Sequence, residues 1–285
     1  MELAIVMPAL LSTPDHLRYT AGTIASIKSR YDHRILLLLN RWEGFEVELE
    51  ALATAHPLEM VRNPQPRSVA ACWNYGLTWG LQKGASAVLV LNNDIVCKQN
   101  CVDRLVDFAR HHPEFVLVTA WEHADLATLE DSEEREEWVE SPHFSCFLAG
   151  KSLLERIGRF DEAFFPAYYE DNDMHHRIKL AGERAVCYRG ARFYHHGSRT
   201  ICVDPRLAEA NRNSFTRNGE YYMAKWGGLP GRERLAYPAA LVTGEKTGGV
   251  KPSWPVRDSS GDGTRPRLAM SALARRWSGD GRRSG

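Results

Sequence analysis

The chain has 285 residues, of which 44% are apolar, 25% charged and 10% aromatic, and its 36 Lys/Arg are matched by 36 Asp/Glu. This is the make-up of a globular protein with enough hydrophobic mass for one large core or two small ones, and it excludes collagenous, coiled-coil and wholly disordered chains. A zero net charge also argues against a general nucleic-acid binder, which usually carries a large positive excess.

The longest apolar runs, Ile35 to Leu39 and Ala87 to Leu91, are far shorter than the roughly 20 residues of a spanning helix. Met1-Glu2 lacks the basic start of a secretory leader, and Pro8 interrupts the apolar stretch behind it. Cys72, Cys97, Cys101, Cys146, Cys187 and Cys202 form no CxxC pair. They read as reduced, mostly buried thiols, and the expected compartment is the cytoplasm. The charge is unevenly distributed: residues 243–285 hold nine Lys/Arg, four Asp/Glu and eight glycines. The expectation is an acidic globular part, 1–242, and a disordered basic tail, 243–285, in which Leu268 to Trp277 has the pattern of a short basic helix.

In chain order, Leu3 to Met7 is a strand ending at Pro8. Thr13-Pro14-Asp15 carries a cap, a first-turn proline and an early acid, which start a helix. Leu17, Ala21, Ile24 and Ile27 give it an apolar face. Ile35 to Leu39 reads as a strand covered on both faces, Val69 to Leu81 as a helix, Ala87 to Leu91 as another buried strand and Cys101 to His111 as another helix. This alternation predicts an α/β fold with a mostly parallel sheet and right-handed crossovers. The acidic stretch Ala120 to Ser141, with Trp121 and Trp138 near its ends, reads either as an exposed helix or as a mobile wall over a site.

Three polar clusters have the residue types for chemistry. Leu91-Asn92-Asn93-Asp94 follows a buried strand, at the strand end where open parallel sheets bind ligands. A carboxylate there suits Mg²⁺ or Mn²⁺ bridging to a diphosphate, although Asn-Asn-Asp is also ordinary turn chemistry. Tyr168-Tyr169-Glu170-Asp171-Asn172-Asp173 precedes an amphipathic run through Met174, Ile178 and Leu180. Helix capping accounts for some of its acids, while crowding raises the pKa of at least one, as a general base requires. The third is Tyr194-His195-His196-Gly197-Ser198 behind a strand around Ala185 to Tyr188. Adjacent histidines on an extended segment point to opposite faces, so only one serves a given metal. The aromatics Tyr168, Tyr169, Trp121 and Trp138 offer either a stacking platform for a sugar ring or core packing.

In their order and spacing these clusters resemble the family 2 glycosyltransferases, across roughly residues 1–230. Leu3 to Pro8 and Ile35 to Asn40 are similar to the family's first two strands, and Leu91-Asn92-Asn93-Asp94 is similar to its DXD motif. Gly158-Arg159-Phe160-Asp161-Glu162, Phe164-Phe165 and Glu170-Asp171-Asn172-Asp173 resemble its most specific stretch. His195-His196-Gly197-Ser198 resembles its closing histidine motif, and Tyr221-Tyr222 with Lys225-Trp226-Gly227-Gly228 the ending of some bacterial and phage members. The chain departs from the pattern at Asn40 and Asn92, where the family has Asp, and at Pro66 and Ser68, where it has Asn and Gly.

The resemblance implies a GT-A fold: a Rossmann-like, mostly parallel sheet flanked by helices, with a nucleotide-binding half (1–100), an acceptor and catalytic half (101–200) and a C-terminal helical extension (201–242). It implies metal-dependent, inverting transfer of a hexose or deoxyhexose from a nucleotide diphosphate sugar to a hydroxyl on a glycan, protein or modified nucleobase. Asp171 would be the base, with Glu170 orienting it or the acceptor. Pro8, Ala9, Asn40, Asn74, Asn92 and Asn93 would meet the donor, and Tyr169 and Trp121 the acceptor. Asp94 with His195 or His196 would hold Mn²⁺ or Mg²⁺, His195 being preferred because it follows Tyr194. Two alternatives stand beside this one. A sugar nucleotidyltransferase would want a glycine-rich basic loop where Ala9-Leu10-Leu11-Ser12 stands. A catalytically inactive GT-A domain that binds a glycan or protein is suggested by Asn92.

Overall fold

The apolar runs assemble into a single sheet. In the computed structural model, which describes residues 2–56, 58–197 and 205–236, the first strands are β1 (Leu3–Leu10), β2 (His33–Arg41), β3 (Leu58–Arg62) and β4 (Ala87–Leu91). They pair in parallel in the order β3-β2-β1-β4. The sheet continues through β5 (Ile95–Cys97), β6 (Phe115–His123), β7 (Trp138–Val139), β8 (Cys146–Gly150) and β9 (Arg184–His195). Its full order is β3-β2-β1-β4-β8-β6-β9-β5, with β7 on β9. Strand β8 runs antiparallel to both β4 and β6, so β6, and β9 parallel to it, regain the direction of β1. The carboxyl ends of β1, β4, β6 and β9 therefore lie along one edge.

Seven described helices accompany it: α1 (Pro14–Ser26), α2 (Glu46–Ala55), α3 (Val69–Gln82), α4 (Cys101–His111), α5 (Lys151–Arg156), α6 (Glu170–Leu180) and α7 (Pro205–Trp226). On one face Leu3, Ile5 and Met7 of β1 pack with Ile24, Leu49, Leu105 and Phe108 from α1, α2 and α4. On the other, Ala4 and Val6 pack with Leu77, Leu153, Met174 and Ile178 from α3, α5 and α6. Helix α3 approaches the sheet through glycine: a Cβ on Gly76 would lie 2.2 Å from Val6 Cγ1. A smaller cluster of Phe164, Tyr222 and Trp226 seats α7 against the segment leading into α6.

Several expectations need correction. Strand β1 does not stop at Pro8 but runs to Leu10. Pairing with β4 ends at Val6↔Val90, so beyond it β1 has β2 alone as a partner and tolerates a residue without an N–H. The covered face of α1 is largely polar, His16, Thr20 and Thr23 being buried beside Ile24. Ala120 to Ser141 is not a helix; it holds the end of β6, a single 3₁₀ turn at Leu126–Thr128 and β7. Its acids are drawn to basic partners instead: Glu134 to Lys98 and Arg104, Glu136 to Arg104, Glu137 to Arg189 and Glu140 to Arg184. Trp138 packs its ring with Phe108, His112 and Phe115. Cys72, Cys97, Cys101, Cys146 and Cys187 are buried free thiols. Cys202 and the segment 243–285 lie outside the described residues.

Candidate active site

The carboxyl-end edge gathers the sequence clusters. After β4 the chain turns through Asn92, Asn93 and Asp94 into β5, and this turn is held from three sides. Asn92 N–H donates to Ser145 O at 2.9 Å. Asn93 Nδ2 donates to Thr20 Oγ1 at 2.9 Å. Thr23 Oγ1 donates to Ile95 O at 2.7 Å and accepts from Ile95 N–H at 3.1 Å. The buried threonines of α1 thus hold the acidic turn in place.

Strand β9 brings its carboxyl end to the same point, pairing His195 with Ile95. His195 Nε2 lies 3.0 Å from Asp94 Oδ1, and its Nδ1 lies 3.5 Å from Ser145 Oγ. His196 N–H donates to Asp94 O at 2.9 Å, while its ring lies 4.5 Å from that of Tyr19 and 5.1 Å from that of Tyr194. It is therefore His195 whose imidazole meets the carboxylate. Among the described residues no group of three or more His, Cys, Asp or Glu is arranged to hold a metal ion. The buried Asp94 and the half-buried His195 do form a carboxylate–imidazole pair, and this O/N donor set suits Mn²⁺ or Mg²⁺ when phosphate oxygens and water complete the shell.

The second cluster opens α6. Tyr168 and Tyr169 both adopt left-handed backbone angles, φ 82° and 73°, and Glu170, Asp171 and Asp173 follow in the first helical turn. Glu170 is buried, and its Oε2 has no hydrogen-bond partner among the described residues. Burial first, and the adjacent Asp171 second, push its carboxyl well above the usual range. Asp171 is half-buried. Burial raises its pKa as well, opposed by backbone N–H groups that include Asn172's, 2.8 Å away, and by His143. The His143 segment leads directly to Ser145, so Asp171 shares a neighbourhood with the Asp94–His195 pair.

Asp173 has a different task. Fully buried, it accepts from Arg177 Nε at 2.8 Å and Trp226 Nε1 at 2.8 Å, and pairs with Lys225 Nζ at 2.6 Å. Lys225 also meets Asp161 at 2.6 Å, and Tyr221 donates to the same carboxylate at 2.9 Å. Arg177 further donates to the carbonyls of Ile157 and Arg159 at 3.1 and 2.9 Å. This network binds α7 to α6 and to the Gly158–Asp161 stretch.

The remaining predicted residues are dispersed. Pro8 and Ala9 lie at the end of β1. Asn40 organises the loop before α3, accepting from Asn63 Nδ2 at 2.9 Å and Arg67 N–H at 3.2 Å and donating to Arg67 O at 3.0 Å. Asn74, 2% exposed, clamps Phe160 by two 2.9 Å bonds and reaches Glu162 at 2.8 Å. Trp121 stands under Arg189, whose Cζ is 4.4 Å from the ring centroid. The Tyr169 ring packs on α7, 5.1 Å from Phe215 and 5.6 Å from Tyr222. Sequence periodicity missed Thr20, Thr23, His143 and Ser145. The only sequence signal for the threonines was their spacing along the covered face of α1. A large surface concavity of about 750 Å³, lined by residues such as Lys28, His33 and Asn100, contains none of these carboxylates.

The chain has the GT-A fold, which the solved structures similar to it share. GalNAc-T7 with UDP, GalNAc and Mn²⁺ gives a TM-score of 0.53 at 12% identity, over 68% of this chain and 43% of that one. The mannosyltransferase PcManGT of Pyrobaculum calidifontis with GDP-Man and Mn²⁺ gives 0.52 at 16% identity, over 74% and 60%. S. aureus TarS 1-349 with UDP-GlcNAc gives 0.51 at 13% identity, over 68% and 58%. Among curated proteins, the chain is 30% identical over 100 residues to the N-acetylglucosaminyl-diphospho-decaprenol L-rhamnosyltransferase of Mycobacterium tuberculosis. That match takes in 34% of this chain and spans only 31% of the length of its relative. No family model matches the chain. No helix among the described residues is long and apolar enough to cross a membrane.

Proposed function

We propose that the protein is an inverting glycosyltransferase that moves a hexose or deoxyhexose from a nucleotide diphosphate sugar to an acceptor hydroxyl with the help of a divalent cation. The observation that carries this reading is the pairing of two functions on one sheet edge. An Asp94–His195 donor pair stands at the end of β4, and carboxyls with raised proton affinity open α6 beside His143. The likeness to structures that hold UDP, GDP-Man or UDP-GlcNAc, two of them with Mn²⁺, supports the donor class and the cation.

In the proposed reaction, Asp171 takes the proton of the acceptor hydroxyl as its oxygen attacks the anomeric carbon. The bond from that carbon to the β-phosphate oxygen breaks, its electron pair leaves with the diphosphate, and attack from the opposite face inverts the centre. Half-burial keeps the base weakly solvated and proton-avid, and the Asn172 N–H fixes one of its oxygens. Burial and the neighbouring Asp171 raise the proton affinity of Glu170, which favours keeping the second negative charge off the carboxyl beside the base. Mn²⁺ or Mg²⁺ held by Asp94 and His195 would supply the positive charge that the leaving diphosphate needs. Asn92, Asn93 and the end of β1 at Pro8 and Ala9 border the donor on this reading.

A thermal-shift screen of nucleotides and nucleotide sugars, with and without Mn²⁺, tests the proposal. At least one nucleotide diphosphate should raise the melting temperature only with the cation, and Asp94→Ala should abolish that dependence. Cation-independent binding of every ligand, or no binding at all, would refute it.

A further inference from the structure

Beyond Asp171 the same face of the sheet carries a line of cationic and aromatic groups for which the reaction just described has no use. Trp121 of β6 and Arg192 of β9 are register partners. Their neighbours Ala120, Ala191 and Phe193 point into the opposite core, so Trp121 and Arg192 share the face on which α6 packs. The line begins at His143, which lies near enough to Asp171 to act on it electrostatically and whose ring lies 6.4 Å from that of Trp121. Arg189 lies over Trp121.

Arg192 is the unusual member. It is half-buried, its Nε is buried without a hydrogen-bond partner, and its guanidinium makes no hydrogen bond or ion pair with any described residue. Burial, with Arg135 and Arg189 nearby, lowers its pKa. The acids in its vicinity are engaged elsewhere: Glu133 with Arg135 at 2.9 Å, and Glu134 with Lys98 at 2.9 Å and Arg104 at 3.3 Å. Arg189 is paired on its outer side with Glu137 at 3.2 Å, yet its own Nε is likewise buried and unbonded. A buried donor that lacks an acceptor costs about 1–3 kcal/mol, and like charges held together add to that cost. An incoming anion offsets both, and a guanidinium fork is the side chain best shaped to meet phosphate oxygens.

We infer that Arg192, with Arg189 and the face of Trp121, forms an acceptor subsite for a phosphate-bearing sugar. The acceptor's ring stacks on the indole, its phosphate meets the two guanidinium groups, and its free hydroxyl points back along the face toward Asp171. This inference rests on the glycosyltransferase reading and deepens it by naming the class of acceptor. The phosphate can belong to a free sugar phosphate or to the diphosphate of a lipid-linked sugar; the chemistry at Arg192 is the same.

Calorimetric titration tests it, with N-acetylglucosamine 1-phosphate, its neutral methyl glycoside and farnesyl diphosphate as probes, and with UDP and Mn²⁺ present to occupy the donor site. The sugar phosphate should bind about tenfold or more tighter than the neutral glycoside, as expected for charge-assisted bonds to a guanidinium. Arg192→Gln should erase that preference, Arg192→Lys should keep part of it, and Arg110→Gln, an exposed change on α4, should leave it intact. Tight binding of farnesyl diphosphate points to the lipid-linked source and weak binding to the free one. Equal affinities for charged and neutral probes, undetectable binding of both phosphate-bearing probes, or a preference that survives Arg192→Gln overturns the inference. If the Gln variant does not fold, phenylglyoxal labelling of Arg192 in the wild-type protein, read by mass spectrometry, replaces it: the sugar phosphate should protect, and unchanged labelling counts against the subsite. A chain that binds the sugar phosphate through Arg192 but no nucleotide with Mn²⁺ refutes the transferase reading and leaves the anion site standing.

Discussion

Replacing Asp173 with alanine tests the polar network that locks α7 onto the start of α6. The carboxylate is fully buried and meets Arg177, Trp226 and Lys225 at 2.8, 2.8 and 2.6 Å. Without it Arg177, itself 3% exposed, keeps its carbonyl partners at Ile157 and Arg159 but loses the buried carboxylate 2.8 Å from its Nε. Removing one partner of such a pair costs about 3–5 kcal/mol. The stranded Trp226 indole N–H adds about 1–3 kcal/mol if nothing rearranges. Lys225 retains Asp161 at 2.6 Å, so its contribution is small. Neighbouring effects do not add fully, and the expected loss is about 4–5 kcal/mol, or about 10–15 °C in melting temperature for a domain of this size. Urea denaturation followed by tryptophan fluorescence measures it, since Trp226 reports on the site directly. Lys225→Met, which leaves the Asp173–Arg177 pair in place, should cost much less. A loss below about 1 kcal/mol for Asp173→Ala would show that the network is not what holds α7, because a buried ion pair cannot be broken that cheaply.

Glu170→Gln should stabilise the protein increasingly as pH rises. The folded carboxyl has a raised pKa, so the wild type is unpenalised below the unfolded carboxylate range and loses stability as pH climbs from there to the folded value; melting curves at pH 5 and pH 8 check the sign. Asp171→Asn should lower transfer by about 10²–10⁴-fold, the usual worth of a general base. Because burial raises its pKa, wild-type kcat/KM should fall on the acid side at a pH above the ordinary aspartate range, and the variant's profile should lack that limb. Gly76→Ala places a Cβ 2.2 Å from Val6 Cγ1 and should destabilise by about 1–3 kcal/mol through overpacking; chemical denaturation reads it.

Much of this arrangement was legible in the sequence because its signals are local. The five-residue run Ala87 to Leu91 is a strand covered on both faces, and Thr13-Pro14 starts α1 with the Thr13 side chain facing the His16 N–H. The motifs around Asp94, Glu170–Asp173 and His195 all fall at the expected element boundaries. What the sequence hid depends on contacts distant along the chain. Strand β3 has no fully buried residue, so it lacks the continuous apolar signal that revealed β2. The acidic stretch before β8 has the composition of a surface helix, but salt bridges to α4 and β9 direct it otherwise, and a periodicity argument sees none of those partners. Thr20 and Thr23 look like polar interruptions of an apolar face until the turn they hold is in view. Asn40 and Asn74 read as donor contacts from the sequence alone, and their bracing of loops 63–68 and 160–162 was out of its reach.

The two tyrosines before α6 connect these observations. Consecutive non-glycine residues with φ of 82° and 73° hold strain on the order of 1–3 kcal/mol each, which persists only when the surroundings impose it. Here the imposing surface is α7. Asn218 Nδ2 donates to Ala167 O at 2.7 Å and to Tyr168 O at 3.3 Å. Phe215 packs on both tyrosine rings, and a Cβ on Gly219 would come within 2.9 Å of Tyr169 Oη, so the helix leaves that ring little room elsewhere. Glu170 and Asp171 are the next residues in the chain, so their direction is set by this constrained turn and by the Asp173 lock one turn later. Helix α7 thus acts on the proposed base from both sides along the chain. On this argument α7 is part of the site's scaffold, which explains why the Tyr221–Trp226 pattern accompanies the Gly158–Asp173 pattern in one sequence: each supplies half of the same buried network.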